Sequence, residues 1–219
     1  MPVIRNYQCD AIPEWSQVKL YKKYYLKEGE TLEIDTGCSK AAVFIYAGYV
    51  KVEAEDKSWD LCSAKPAHAP IDYIQLPVGK FKVSTKTFPG FWLSGCEIYV
   101  IAGEWVGWTV VSNFMVENSL FPENPGDPMD CKTKTTFENH FHDFDEYWIV
   151  ACGGGYVWDN DTVYEVNPGD MVITKRGTHH CFVETKNFTR CVAFKARLGG
   201  LCRLDNLCIT RGDGDILTD

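Results

Sequence analysis

The sequence predicts an all-β protein, and three observations support this prediction. Aromatic residues make up 14% of the 219-residue chain, and aromatic and β-branched side chains favour half-buried strands. Turn signals such as Pro89-Gly90 and Arg176-Gly177 recur along the chain, at a spacing typical of sandwiches and barrels. Between them lie short apolar runs, of which the clearest are AVFIYAGYVKVEA, EIYVIAGEWVGWTVV and EYWIVACGGGYVW. Helical periodicity is scarce, with one short helix predicted near residues 12–20 and another near the C-terminus.

A proline-rich break divides the chain. The segment SLFPENPGDPMDC, residues 119–131, contains three Pro and few apolar residues, which is typical of a linker or a long surface loop. We therefore predict a β-domain over residues 1–118, a linker over 119–131 and a second β-domain over 132–219. Both parts contain an apolar strand ending near a Gly (Gly48, Gly153), then a strand and a Pro/Gly turn, which suggests a weak internal duplication.

Composition excludes several classes of partner. The formal net charge is −8 and no cluster of Lys and Arg offsets it, so binding to nucleic acid or to an anionic membrane surface is not expected. The N-terminus does not have the pattern of a signal peptide, and no apolar run approaches the roughly 20 residues of a membrane helix. We therefore expect a cytoplasmic protein. Its ten cysteines form no CxxC pair, which favours reduced, buried thiols.

Histidines concentrate in the second part of the chain, which holds four of the five: His140, His142, His179 and His180. Residues two apart on a strand share a face, so His140 and His142 can approach one ion together. Four extended residues span about 13 Å, so Glu146 reaches the same ion only if residues 143–145 bend. A further ligand is expected after the Arg176-Gly177 turn, where only one of His179 and His180 can face the interior.

Two segments resemble the motifs of the cupin superfamily. HFHDFDEYWIVACG, residues 140–153, resembles the first motif, and GDMVITKRGTHH, residues 169–180, resembles the second. The second motif's register selects His180 over His179, and Lys175 departs from the family's usual Pro. The resemblance implies a jelly-roll β-barrel that holds one divalent transition metal (Fe, Mn, Ni, Co or Zn). The implied ligands are His140, His142, Glu146 and His180.

The first part of the chain resembles a degenerate cupin barrel. VFIYAGYVKVE resembles the strand that ends the first motif, and YIQLPVGKFKV resembles the turn of the second. The only histidine there is His68, which stands alone in KPAHAPIDY. We therefore predict that this domain binds no metal and that the protein is a bicupin with one site.

Residues facing the barrel interior are candidates for substrate binding. Parity with Glu146 selects Trp148, and parity with His180 selects Phe182 and Glu184. On the strand TRCVAFKAR, either Arg190 and its alternate neighbours face inward, or Cys191, Ala193 and Lys195 do. The candidate substrate-binding residues are Trp148, Tyr156, Trp158, Phe182 and Arg190. Such a wall suits a sugar or a keto or hydroxy acid, although ordinary barrel core explains the aromatic residues equally well.

Three functions are compatible with these features. The first is a metalloenzyme of the isomerase, epimerase or lyase type, which moves a proton on a small oxygen-rich molecule with Glu146 or Glu184 as the base. The second is an Fe(II)-dependent dioxygenase, and the third is a non-catalytic protein that binds or senses a small ligand. Fold does not decide among them. By analogy with paired barrels, a homodimer is the assembly to test first.

Overall fold

The computed structural model describes residues 3–63, 71–86, 95–116, 141–142, 144–159, 162–186 and 188–198. These residues form fifteen strands and one 3-10 turn, Cys9–Ala11, which confirms the all-β prediction. The helix predicted near residues 12–20 is wrong, because Pro13 to Ser16 form a turn and Val18 already begins a strand. The second predicted helix lies outside the described residues. No α-helix long and apolar enough to cross a bilayer occurs in the described part of the chain.

The chain divides into two compact units at positions other than those predicted. One unit is Tyr7–Trp105, and the other combines Met1–Asn6 with Val106–Asp219. The predicted boundary at residue 118 therefore differs from the observed one. Strand β1 (Val3–Ile4) pairs with a strand of the second unit, and so does β9 (Trp108–Val116). Both strands form the edges of that unit's five-stranded sheet. The predicted linker lies outside the described residues.

The Tyr7–Trp105 unit is a seven-stranded antiparallel sheet that surrounds an aliphatic core. Strands follow the order β2-β8-β4-β7-β3, and β5 and β6 also pair with β4. Their bounds are Val18–Lys27 (β2), Thr31–Asp35 (β3), Lys40–Ala54 (β4), Lys57–Ser63 (β5), Asp72–Leu76 (β6), Lys80–Thr85 (β7) and Gly95–Gly103 (β8). Val43, Ile45, Ile98 and Val100 are fully buried in the core. The described residues of this unit contain no cluster suited to a metal ion.

The second unit contains a five-stranded sheet and a three-stranded sheet. The first has the order β1-β13-β10-β15-β9, and the second has the order β12-β11-β14. The remaining bounds are Asp145–Cys152 (β10), Gly155–Asp159 (β11), Thr162–Val166 (β12), Met171–Thr174 (β13), His180–Thr185 (β14) and Thr189–Leu198 (β15). Both sheets contribute to one core, as Trp148 and Val150 pack with Val157 and Phe182. This arrangement places β10 and β14, which carry the candidate ligands, around a common interior.

Candidate metal centre

Three of the predicted ligands converge in the interior of the second unit. His142 precedes β10, Glu146 lies within it, and His180 begins β14. The Nε2 atom of His142 lies 3.1 Å from Glu146 Oε2, and the Nε2 atom of His180 lies 3.2 Å from the same oxygen. All three side chains are buried, and one ligand atom from each lies within 4.8 Å of the others. His140, the fourth predicted ligand, lies outside the described residues.

A turn between β13 and β14 holds the two histidine segments together. The amide N–H of Gly177 donates to the carbonyl of His142 at 2.7 Å, and the N–H of Arg176 donates to the carboxylate of Asp145 at 3.0 Å. Gly177 has a φ of +75°, a conformation that glycine adopts without a steric penalty. The turn that leads into His180 is therefore tied directly to the segment that carries His142 and Glu146.

The bend required by the His142–Glu146 spacing occurs at Phe144, just before β10. The buried ring of Phe144 stacks on the His142 imidazole, with centroids 4.2 Å apart and an interplanar angle of 16°. This packing restricts the orientation of the imidazole. If this stretch were extended, His142 and Glu146 would be too far apart to bind the same ion. The bend instead brings Nε2 of His142 and the carboxylate of Glu146 together.

A backbone carbonyl orients the His180 ring. The Nδ1 atom of His180 lies 2.8 Å from the carbonyl oxygen of Thr178. A carbonyl oxygen can only accept, so Nδ1 is the donor in this contact and Nε2 is the ring nitrogen that faces Glu146. Burial lowers the pKa of the neighbouring His142, although Glu146 opposes this shift. A neutral imidazole has a nitrogen lone pair with which it can bind a metal ion.

The donor set therefore fits a divalent transition metal. Two imidazoles and a carboxylate are common ligands of Zn, Fe, Mn, Ni and Co. The two nitrogen–oxygen separations are 3.1 and 3.2 Å, so the three donor atoms are close enough together to share one ion. The hydrogen bond from Nδ1 of His180 to a backbone carbonyl is also a usual way to orient a ligand imidazole.

Glu146 is ionised at neutral pH despite its burial. Burial alone would raise the pKa of this carboxyl, but the neighbouring His142, His180 and Lys195 lower it well below its usual range. A carboxylate that stays charged is a good metal ligand and a weak general base. This favours the ligand role over the base role that the sequence left open.

Lys195 completes the cluster, although the sequence analysis left open whether its side chain faces inward. Glu146 and Lys195 are cross-strand partners of β10 and β15, so their side chains share a face. The Lys195 Nζ atom lies 3.7 Å from Glu146 Oε1, the oxygen turned away from the imidazoles. The same Nζ atom lies 5.3 Å from the Phe144 ring centroid. The alternative in which Cys191, Ala193 and Lys195 face inward is the one that the structure adopts.

Two predicted wall residues lie beside the cluster. The Trp148 ring centroid is 5.1 Å from that of His180, and Phe182 stacks on Trp148 at 5.3 Å with an interplanar angle of 7°. Both side chains are buried and belong to the hydrophobic core of the unit. As core residues, Trp148 and Phe182 therefore hold His180 in position, and they also form the wall next to it.

The structure does not bring Glu184 to the cluster. Tyr156 pairs with Glu184 while the next residue, Val157, pairs with Phe182, so Val183 is the extra residue of a β-bulge. The bulge reverses the alternation that the sequence predicted, and the side chain of Glu184 is exposed. The prediction that Glu184 faces inward is therefore wrong, and its role as a base receives no support.

The other three candidates lie in different surroundings from one another. Arg190 has the parity of Val192 and Phe194 on β15, opposite to that of Lys195, and is buried on that other face. Tyr156 and Trp158 flank the core residue Val157 on β11, and both are half-buried. The ammonium of Lys186 lies over the Tyr156 ring. Trp158 also packs against the core that contains Trp148 and Phe182.

His179 is the histidine that the register of the second motif did not select as a ligand. It lies edge-on to Phe141, with ring centroids 4.7 Å apart, and is not part of the ligand group. Adjacent residues on a strand point to opposite faces, which explains why His180 alone joins the cluster. The pair offers a natural control, because both positions carry the same residue type in the same segment.

Comparison with known proteins finds a matching domain family and a curated relative. A profile of the cupin domain family matches residues 129–193. The uncharacterized protein y4oW of Sinorhizobium fredii is 34% identical over 102 residues, a match that covers 44% of this chain and 47% of that protein. The chain thus aligns with about half the length of this curated relative.

Solved structures resemble the chain over most of its length. An IolB-like protein of Salmonella typhimurium has a TM-score of 0.57 at 14% identity, with 88% of this chain and 87% of that one covered. A variant of the Bacillus subtilis oxalate decarboxylase has a TM-score of 0.55 at 9% identity, covering 85% and 70%. The Lactobacillus farciminis oxalate decarboxylase in its formate complex has a TM-score of 0.52 at 12% identity, covering 82% and 77%. At these identities the likeness concerns the fold.

Proposed function

We propose that this chain is a two-barrel member of the cupin superfamily and a metal-dependent enzyme with one metal site, in its second barrel. The proposed ligands are His142, Glu146 and His180, together with His140 from the same motif. The proposed substrate is a small oxygen-rich molecule, either a sugar or a keto or hydroxy acid. The proposed reaction is proton transfer of the isomerase, epimerase or lyase type.

The observation that carries this proposal is the convergence of two Nε2 atoms on one buried carboxylate oxygen. Three polar groups with this degree of burial are costly to desolvate without a partner that satisfies all of them. A divalent ion is such a partner, and it would polarise a substrate oxygen when bound. Four protein ligands would leave positions open for substrate on an ion that prefers six.

The surrounding residues support small-molecule chemistry within a shielded site. The side chains of His142, Glu146 and His180 are exposed to 2%, 4% and 0%, which keeps bulk water from the reacting groups. Trp148 and Phe182 provide a flat apolar wall beside His180. Because Glu146 is held as a carboxylate, its proposed role is that of a ligand and not of a base.

Metal content is the first test. Protein purified without chelators or a metal-affinity step should contain about one transition-metal ion per chain, and a His142→Ala variant should have lost it. A protein that neither contains nor takes up a transition metal would contradict the proposal. A His68→Ala variant is the matched control, since the sequence places that histidine outside the motifs.

The reaction type is tested by solvent exchange. The metal-loaded protein is incubated in D2O with panels of sugars and of keto and hydroxy acids, and deuterium incorporation is followed by NMR. Exchange that disappears in the His142→Ala variant supports proton transfer. Oxygen uptake with a turned-over substrate would instead identify a dioxygenase. Ligand-induced thermal stabilisation with no product would identify a binding protein.

A further inference from the structure

The second oxygen of Glu146 lies beside a cation that is more exposed than the carboxylate itself. Oε2 faces the two imidazoles, whereas Oε1 lies 3.7 Å from the ammonium of Lys195. The side chain of Lys195 is 17% exposed, compared with 4% for Glu146. Among the four described polar groups of the cluster, Lys195 is thus the one that solvent and a solvent-borne molecule reach first.

The geometry holds this ammonium in place. Besides the carboxylate, its neighbour is the face of Phe144, whose ring also stacks on His142. An ammonium over an aromatic face is attracted by the ring's quadrupole. Lys195, Phe144 and His142 therefore form a connected stack, in which the position of the charge is fixed relative to the proposed metal site.

Charge balance indicates what the occupied centre would accept. A divalent ion, the Glu146 carboxylate, the Lys195 ammonium and neutral imidazoles leave a net charge of about +2 in a largely buried space. An uncompensated charge in such surroundings is costly. An incoming anion would compensate it, whereas a neutral sugar would not.

We propose that the small molecule held at this centre carries a carboxylate, and that Lys195 is the residue that pairs with it. The substrate class narrows accordingly to small organic acids, such as dicarboxylates and keto or hydroxy acids, in preference to neutral sugars. This inference rests on the metal site proposed above. Within that site, Lys195 is a specificity-determining residue and not a metal ligand.

The test measures metal binding and anion binding separately. Purified full-length protein is depleted of metal and loaded with Co2+, whose visible spectrum reports changes among its ligands. The loaded protein is then titrated with malonate, oxalate and pyruvate, and with xylose as the neutral probe. The variants are Lys195→Met, which removes the charge, Lys195→Arg, which retains it, and Lys186→Met, which removes an exposed lysine paired with Glu165.

We expect at least one acid to bind the wild-type protein more tightly than xylose does. Lys195→Met should weaken that binding by about tenfold or more, as expected for a lost charge-assisted hydrogen bond. Lys195→Arg should restore much of it, and Lys186→Met should leave it unchanged. Co2+ affinity should stay the same or rise in Lys195→Met, because a positive charge near the ligand carboxylate has been removed. A merely structural defect would weaken both kinds of binding.

Three outcomes would overturn the inference and leave the metal proposal standing. The first is xylose binding to the Co2+-loaded protein as tightly as every acid. The second is a Co2+ spectrum that no probe changes. The third is unchanged acid affinity in Lys195→Met. Failure of the wild-type protein to bind Co2+ at all is a distinct result, which contradicts the proposed function itself.

Discussion

Replacing His180 or its neighbour His179 by Ala gives a matched pair of perturbations at the proposed metal site. His180 contributes one of three described donor atoms, whereas His179 packs on Phe141 outside the ligand group. Altering a residue that merely orients a ligand typically costs roughly 10–100-fold in metal affinity. Loss of a ligand itself should therefore cost at least about 100-fold.

The expected thermal response follows from mass action. Metal at about 100 times its Kd stabilises the folded protein by about 2.7 kcal/mol, which corresponds to a Tm increase of roughly 5–11 °C for a protein of this size class. At the same metal concentration, a 100-fold weaker His180→Ala site gains only about 0.4 kcal/mol, or roughly 1–2 °C. His179→Ala should keep the wild-type increase, because it removes no ligand.

Differential scanning fluorimetry of chelator-treated protein, with and without added metal, measures these shifts. Equilibrium dialysis of the same samples gives the affinities directly. Both variants lose an imidazole from the same segment. A general loss of stability would therefore lower the metal-free Tm of both variants, but it would not make their Tm increases on adding metal differ. A wild-type metal response in His180→Ala, or an equal loss in both variants, would refute the assignment of His180 as a ligand.

Three further outcomes are expected. Phe182→Ala should lower the free energy of unfolding by about 3–5 kcal/mol in urea titrations, because it removes a buried ring stacked on Trp148. The control Val183→Ala, at an exposed position, should have little effect. Ile4→Ala should cost about 2–5 kcal/mol in the same assay, since this fully buried residue belongs to the strand that pairs with β13; a negligible cost would show that the strand does not stabilise the second unit. The metal-free protein should lose stability as the pH falls below about 6.5, by at most about 1.4 kcal/mol per pH unit for one histidine. The reason is that burial lowers the pKa of His142 in the folded protein, so the unfolded chain takes up the proton first. An unchanged dependence of stability on pH in His142→Asn would contradict this.

Patterns repeated along the chain were enough to predict the fold class, but not the ends of the two units. Spaced turns and apolar runs are local features, and each strand can be recognised from its own residues. The pairing of Val3–Ile4 with β13 joins residues nearly 170 positions apart, and two residues carry no periodicity of their own. Trp108–Val116 precedes the proline-rich break, so sequence order placed it with the first domain. Its hydrogen-bond partner, β15, lies in the second.

The ligands and the wall differ in how readily sequence could predict them. The ligand types and their spacing identified a group of which the structure brings His142, Glu146 and His180 together. Parity arguments succeeded for Trp148, whose strand is regular as far as Val150. They failed for Glu184, because one extra residue in β14 shifts every later side chain to the other face. The direction of the Lys195 side chain could be decided only once its cross-strand partner was known to be Glu146.

The contrast between the two barrels explains why one of them is suited to a site. In the first unit the interior positions are occupied by fully buried aliphatic residues such as Val43, Ile45 and Val100, which gain stability by excluding water and offer no donor atoms. In the second unit the same kind of interior contains an ionised carboxylate, two imidazoles and an ammonium. Desolvating these groups lowers the stability of a fold unless close partners compensate them, and here the carboxylate lies 3.1, 3.2 and 3.7 Å from the two imidazoles and the ammonium. A buried polar cluster of this kind, next to an otherwise apolar core, is what the proposed metal site requires.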